Sequence, residues 1–118
     1  MDNRQLIMNS ALTLFYESGY DAVGVQQIVD SVGVSKPTLY YYFGSKQGLL
    51  EALLNEHFQP MEQKLTEASE IGKNIPEKLY RIARAFFNGA SEDPKFYMLM
   101  MSLFYSGRKS EGFRTVYP

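Results

Sequence analysis

Apolar residues recur at helical spacing along most of the chain, with glycine or proline marking the breaks. Over residues 3–18, Ile7, Ala11, Leu14 and Phe15 fall three or four apart, and Met8 and Leu12 widen the stripe. That pattern predicts an amphipathic helix. Gly19 is placed to stop it and Tyr20 to fold back onto it. Residues 21–24 read as a connector. Val25, Ile28, Val29 and Val32 then share one stripe of a short second helix. Three of the four are valines and one is isoleucine, all poor helix formers, so burial has to override propensity there. Gln26 and Gln27 fall outside the stripe, on the solvent side.

Residues 33–46 predict a tight turn, a short helix and the start of another. Gly33 can adopt the left-handed conformation that ends a helix. Ser35 is a good N-cap, and Pro37 is tolerated in a first turn, where its missing amide would be unpaired anyway. Gly44 closes the helix and Ser45 caps the next. Residues 36–43 make about two turns, too few to be stable alone. Leu39 and Phe43 are four apart and share a face, which makes them the anchors into a core. Tyr40, Tyr41 and Tyr42 fan around the helix at about 100° per residue, so at least Tyr40 and Tyr41 should face solvent. Lys36 and Thr38 stand near the positive end of the helix dipole, and Lys46 begins the next helix. Hydroxyls, cations and aromatic rings on an exposed helix end suit phosphates and base edges. The alternative is a surface turn whose tyrosines are half-buried packing.

Residues 45–71 predict a long helix. Leu50, Leu54, His57, Met61, Leu65 and Ala68 continue its apolar stripe, helped by Leu49, Leu53 and Phe58. Pro60 should kink or split it. His57 falls on the apolar stripe, which favours a satisfied core histidine over a ligand. Residues 72–74 form a break. Residues 76–88 predict a further helix with Leu79, Ile82, Ala83, Phe86 and Phe87 on its apolar face and Gly89 at its end. Asp93-Pro94 is a strong start signal for a helix over 94–106. From Phe96 to Tyr105 every residue except Ser102 is apolar or aromatic. Such a helix is either a central core element or the wall of a greasy pocket with adaptable methionines. Residues 107–118 are polar and carry no predicted element. Gly107-Arg108-Lys109-Ser110 has the ending of a phosphate loop, but lacks its upstream glycine and preceding strand.

The elements together predict an all-α chain. At 118 residues it is one domain, or a small domain with part of another. Apolar residues at 45% suffice for a core. A net charge of −1 means that any binding to nucleic acid must come from local charge. The absence of cysteine excludes disulfides, thiol catalysis and cysteine-ligated zinc, and fits a cytoplasmic location. No apolar run approaches the ~18–20 residues that span a membrane, and no signal-peptide core is present. A single histidine and scattered acids supply no catalytic constellation, so no enzyme activity, cofactor or metal is expected.

The run Gly33-Val34-Ser35-Lys36-Pro37-Thr38-Leu39-Tyr40-Tyr41-Tyr42-Phe43-Gly44-Ser45-Lys46 resembles the helix-turn-helix of the TetR/AcrR family of bacterial transcriptional regulators. The resemblance extends back to Met8 and forward to about Leu54. It implies a helix-turn-helix DNA-binding domain over residues 1–47, with a connecting helix and a shortened helical regulatory region over 48–118. It also implies a sequence-specific regulator of transcription, a repressor relieved by a small hydrophobic effector, acting on double-stranded, palindromic operator DNA as a homodimer. On this reading Lys36, Pro37 and Thr38 face base edges, and Tyr40, Tyr41, Tyr42 and Lys46 face phosphates. Arg4 at the start of the first helix is a weaker backbone contact. The chain departs from the family at Val23-Gly24, where members usually carry Thr or Ser. Gly24 can still offer its amide to a phosphate, and Gln26 can reach a base. Phe58, Met61, Phe86, Phe87, Met98, Met101 and Tyr105 are the residues expected to line an effector pocket.

Family members normally continue with further helices, including a pair that forms a four-helix dimer interface. Their absence from this sequence leaves pocket and dimer incomplete on the family pattern: either the chain pairs by another surface, with residues 96–105 the candidate, or it is a fragment or truncated product. A second reading follows: a helical interaction module without operator binding that pairs with a full-length relative.

Overall fold

A computed structural model describes residues 2–105 and 111–116. Its regular structure is helical throughout: α1 (Asn3–Ser18), α2 (Val25–Val32), α3 (Lys36–Phe43), α4 (Lys46–Ile71), α5 (Ile75–Glu92), α6 (Pro94–Tyr105) and α7 (Glu111–Val116). None of the described helices is long and apolar enough to cross a membrane.

The first four helices start and stop where their caps require. Asp2 caps α1, its carboxylate accepting the Gln5 amide at 2.8 Å. Gly19 ends α1 with φ 85°, and Gly33 ends α2 in the left-handed conformation at φ 71°. Ser45 caps α4, its hydroxyl accepting the Gly48 amide at 2.9 Å. Ile7, Met8, Ala11 and Phe15 of α1 are buried with Ile28 and Val29 of α2 and Leu39 of α3. Leu49, Leu50 and Leu53 carry that core into α4, and Phe96, Leu99 and Leu103 of α6 close it from the other end. Tyr20 folds back as the sequence suggests, edge-on to Phe15 at 5.1 Å. Val23 belongs to the same core with no exposed surface. Val23 is therefore a packing residue that offers no side chain to DNA.

The rest of the chain differs from expectation at four places. Helix α4 continues through Pro60 as one helix of 26 residues, so of the two outcomes expected there the split does not occur. Helix α5 does not stop at Gly89 but runs to Glu92, with the Asp93 amide bonded to the Gly89 carbonyl at 2.9 Å. Gly89 is instead a close-approach residue, since a Cβ there would lie 2.2 Å from the Tyr97 hydroxyl. None of the α5 residues is buried, and the face expected to be apolar core is partly outward: Leu79 and Phe87 are exposed while Ile82 and Phe86 are half-buried. Residues 111–116, read as a polar tail, form α7, which packs on α4 and α6. The Gly107–Ser110 run, Ser106 and Tyr117-Pro118 lie outside the described residues.

Helix α6 is neither wholly core nor wholly pocket wall. Phe96, Tyr97, Leu99, Met100 and Leu103 are buried, whereas Met98, Met101, Phe104 and Tyr105 are exposed. The face that would pair with another chain is thus reduced to its outer half.

Candidate nucleic-acid interface

Helix α3 is seated by two residues and leaves the others free to face outward. Leu39 is fully buried and Phe43 packs half-buried against the core. At its N-terminus the Ser35 hydroxyl accepts the Thr38 amide at 3.4 Å, and the two hydroxyls lie 2.9 Å apart. Lys36 and Pro37 are exposed beside them, and Thr38 is half-buried. The three tyrosines fan as their spacing requires: Tyr41 is 82% exposed, with Tyr40 and Tyr42 less so. Tyr41 and Tyr42 meet edge to face at 5.1 Å, which restrains both rings. Gly44, at φ 79°, ends the helix with its amide on the Tyr40 carbonyl at 2.8 Å.

Lys46 is less free than its position in sequence suggests. It is half-buried, and its ammonium lies 4.1 Å from the centroid of the Tyr20 ring. Burial pulls its pKa below the ordinary lysine value, against the opposing charges of Glu111 and Asp21. Burial also pushes the Tyr20 phenol well above the usual range, reinforced by Glu111. A phosphate would therefore have to draw Lys46 away from an aromatic face it already occupies.

The remaining head residues divide. Gly24 caps α2 in an extended conformation with no side-chain bond, exposed and with open space around its α-carbon. Gln26 is exposed, but its amide donates to Asp30 at 2.6 Å along its own helix. Arg4 pairs with Glu56 of α4 at 3.7 Å and stands over the Phe43 ring at 5.5 Å. Arg4 thereby braces the C-terminal end of α3 against α4. No sequence signal marks the Arg4–Phe43 or Lys46–Tyr20 pairs, because each joins residues far apart in the chain.

The residues expected around an effector pocket are not gathered about one cavity. Met61 lines a cleft of about 410 Å³ between α4 and the α5–α6 corner. Phe58 lines another of about 320 Å³ with Phe96, Met100 and Phe104. Phe86 packs its ring on Tyr97 at 5.1 Å and on Phe87 at 6.0 Å, and Phe87, Met98, Met101 and Tyr105 point outward. Apolar periodicity alone does not say which helix covers which face. His57 is satisfied, as expected, but at the edge of the larger cleft: its Nδ1 bonds the Asp93 carboxylate at 2.6 Å and its ring stacks on Phe96 at 5.2 Å.

Residues 7–53 match the profile of the bacterial regulatory proteins of the TetR family. The chain is 35% identical over 83 residues to the HTH-type transcriptional repressor BdcR of Escherichia coli, covering 67% of this chain and 42% of that protein. It is 31% identical over 99 residues to the HTH-type transcriptional activator FasR of Mycolicibacterium smegmatis, covering 84% and 45% respectively. The TetR-family regulator PfmR of Thermus thermophilus superposes with a TM-score of 0.68 at 27% identity, over 93% of this chain and 60% of that one. The chain thus spans less than half the length of these two curated relatives, one a transcriptional repressor and the other a transcriptional activator. The matched residues, the all-helical fold and the α2–α3 geometry together identify residues 7–53 as a head of the TetR family of bacterial regulatory proteins.

Proposed function

We propose that the chain is a sequence-specific DNA-binding regulator of transcription, acting as a repressor that a small effector releases. The observation that carries this reading is α3. The helix is held from behind by Leu39 and Phe43 and presents Lys36, Pro37, Thr38 and the exposed tyrosine rings outward. Lys36, Pro37 and Thr38 meet base edges in a major groove, while Tyr40, Tyr41, Tyr42, Lys46 and the Gly24 amide meet phosphates on either side. Gln26 reaches DNA only by leaving Asp30. Residues 1–47 act as the head and 48–118 as the connecting helix and regulatory part. Two heads are needed for useful affinity, so the active form is a homodimer on a palindromic site. Release requires an effector with different affinity for the two head spacings.

A second reading draws on the outward apolar residues of α5 and α6: a module that pairs with a longer relative and does not itself bind an operator. Selection of duplexes from a random pool at near-physiological salt separates the two. A palindrome supports the dimeric regulator, and a lone half-site supports a working head without pairing. No enrichment supports the pairing module.

A further inference from the structure

We propose that the cleft between α4 and the α5–α6 corner binds a small organic cation, an ammonium carried on an apolar or aromatic body. The proposal deepens the effector half of the function above and rests on it. Three carboxylates border the cleft, those of Glu56, Glu92 and Asp93, against the single ammonium of Lys64 and the ring of His57. Glu92 is held by Lys64 at 2.7 Å, Asp93 by His57 at 2.6 Å and Glu56 by Arg4 at 3.7 Å. A carboxylate has two oxygens with room for several donors, so each keeps accepting capacity. An anion would meet a repulsive rim. Among the described residues no three acidic or histidine side chains come together to hold a metal ion.

The independent observation is Tyr97. It is only 6% exposed, and its hydroxyl has no hydrogen-bond partner among the described residues. A buried hydroxyl left unpaired is costly unless something satisfies it. That hydroxyl is buried against Gly89, itself a cleft residue, and the charges of Asp93, Lys64 and Glu92 act on it. Burial keeps the phenol above its ordinary pKa and therefore protonated and neutral. An ammonium placed here donates to Asp93 and Glu92, and a small shift of the Tyr97 ring away from Gly89 brings its oxygen within reach as a third acceptor. Lys64, half-exposed, swings aside into solvent. Met61 and Pro60 supply an apolar wall for the rest of the molecule. The volume of about 410 Å³ lies within the range that small-molecule sites occupy.

Titration calorimetry on the intact chain at low salt tests this with three probes of similar size: phenethylamine, phenylpropanol and phenylpropanoate. The amine is expected to bind, and the alcohol and the carboxylate to bind at least about tenfold more weakly. Asp93→Asn is expected to weaken the amine by about tenfold and Tyr97→Phe by a smaller factor. Urea melts confirm that both variants fold. Equal binding of amine and alcohol overturns the proposal, as does preference for the carboxylate. Amine binding untouched by both substitutions, or absent at millimolar concentration, overturns it too. Binding is read on the free protein, so a head variant such as Lys36→Ala that abolishes DNA binding leaves this result intact, and the two readings fail separately.

Discussion

The ammonium of Lys46 lies 4.1 Å from the centroid of the Tyr20 ring, joining the connector after α1 to the first turn of α4. The same ring is approached by α7, where a Cβ on Gly112 would come within 3.5 Å of Tyr20 Cδ1 and 2.5 Å of Leu103 Cδ2. One buried tyrosine is therefore shared between the residue offered to phosphate and the last described helix. Displacing α7 would act on Tyr20 directly, and through it on Lys46.

Lys46 is expected to trade stability for binding. Burial lowers its folded-state pKa, so between that value and the ordinary one of about 10.4 the unfolded chain holds more protons. Stability contributed by this group consequently rises with pH through that window, and the charged lysine is a burden below it. Lys46→Met is expected to be at least as stable as the parent at neutral pH, with the difference shrinking as the pH climbs towards the ordinary lysine value. The same variant is expected to lose DNA affinity on all sequences, with the salt slope lower by roughly one. Urea melts at several pH values and a salt titration of DNA binding check both. A variant less stable than its parent at neutral pH would mean that the contact with Tyr20 outweighs the cost of burial.

The cap of α3 separates folding from reading. Ser35→Ala removes the acceptor for the Thr38 amide and should destabilise the chain by about 1 kcal/mol. Thr38→Ala should cost less in stability but shift base preference by about 1–3 kcal/mol at particular pairs. Binding measured on a panel of single-pair operator variants distinguishes them. A uniform loss on every sequence for Thr38→Ala removes it from the base-reading set.

Gly89 and Tyr97 should be strongly coupled. Gly89→Ala places a methyl 2.2 Å from the Tyr97 hydroxyl oxygen and 3.1 Å from Cζ, and overpacking of this kind costs about 1–3 kcal/mol. Tyr97→Phe removes the nearer atom, so the double variant should recover most of that loss. Denaturant melts of the four chains give the interaction energy. Additive losses would show that the clash is relieved by backbone movement instead.

The outer face of α5 is expected to drive association. Phe87 is 70% exposed and Leu79 and Tyr80 are also outward, an apolar patch on a helix with no buried residue. Phe87→Ser with Leu79→Gln should shift the chain towards the monomer without lowering its unfolding midpoint. Sedimentation velocity over a concentration series reads the shift. Identical profiles for parent and variant would exclude this face as an interface.

Much of the head was legible because local signals there agree with the tertiary outcome. Gly19, Gly33, Ser35, Gly44 and Ser45 act through backbone geometry within a few residues of themselves, so their roles follow from the sequence alone. The stripes of α1 and α2 have one apolar face each, and one face allows one way in. The same logic failed in the second half. Helix α6 is apolar all round, so its pattern could not say whether Phe96 or Met98 would be buried. Gly89 carries a stop signal, yet the approach of Tyr97 from the following helix explains it.

By itself, then, the sequence determined the helical elements of the head, the caps that bound α3 and the outward fan of Tyr40 and Tyr41. It did so because capping and periodicity are short-range. Only the tertiary structure decided that Lys46 would rest on Tyr20, that Arg4 would brace Phe43, and that His57, Asp93 and Tyr97 would meet at one cleft. Each of those brings together segments distant along the chain, and their distances are set by how whole helices pack rather than by any local spacing.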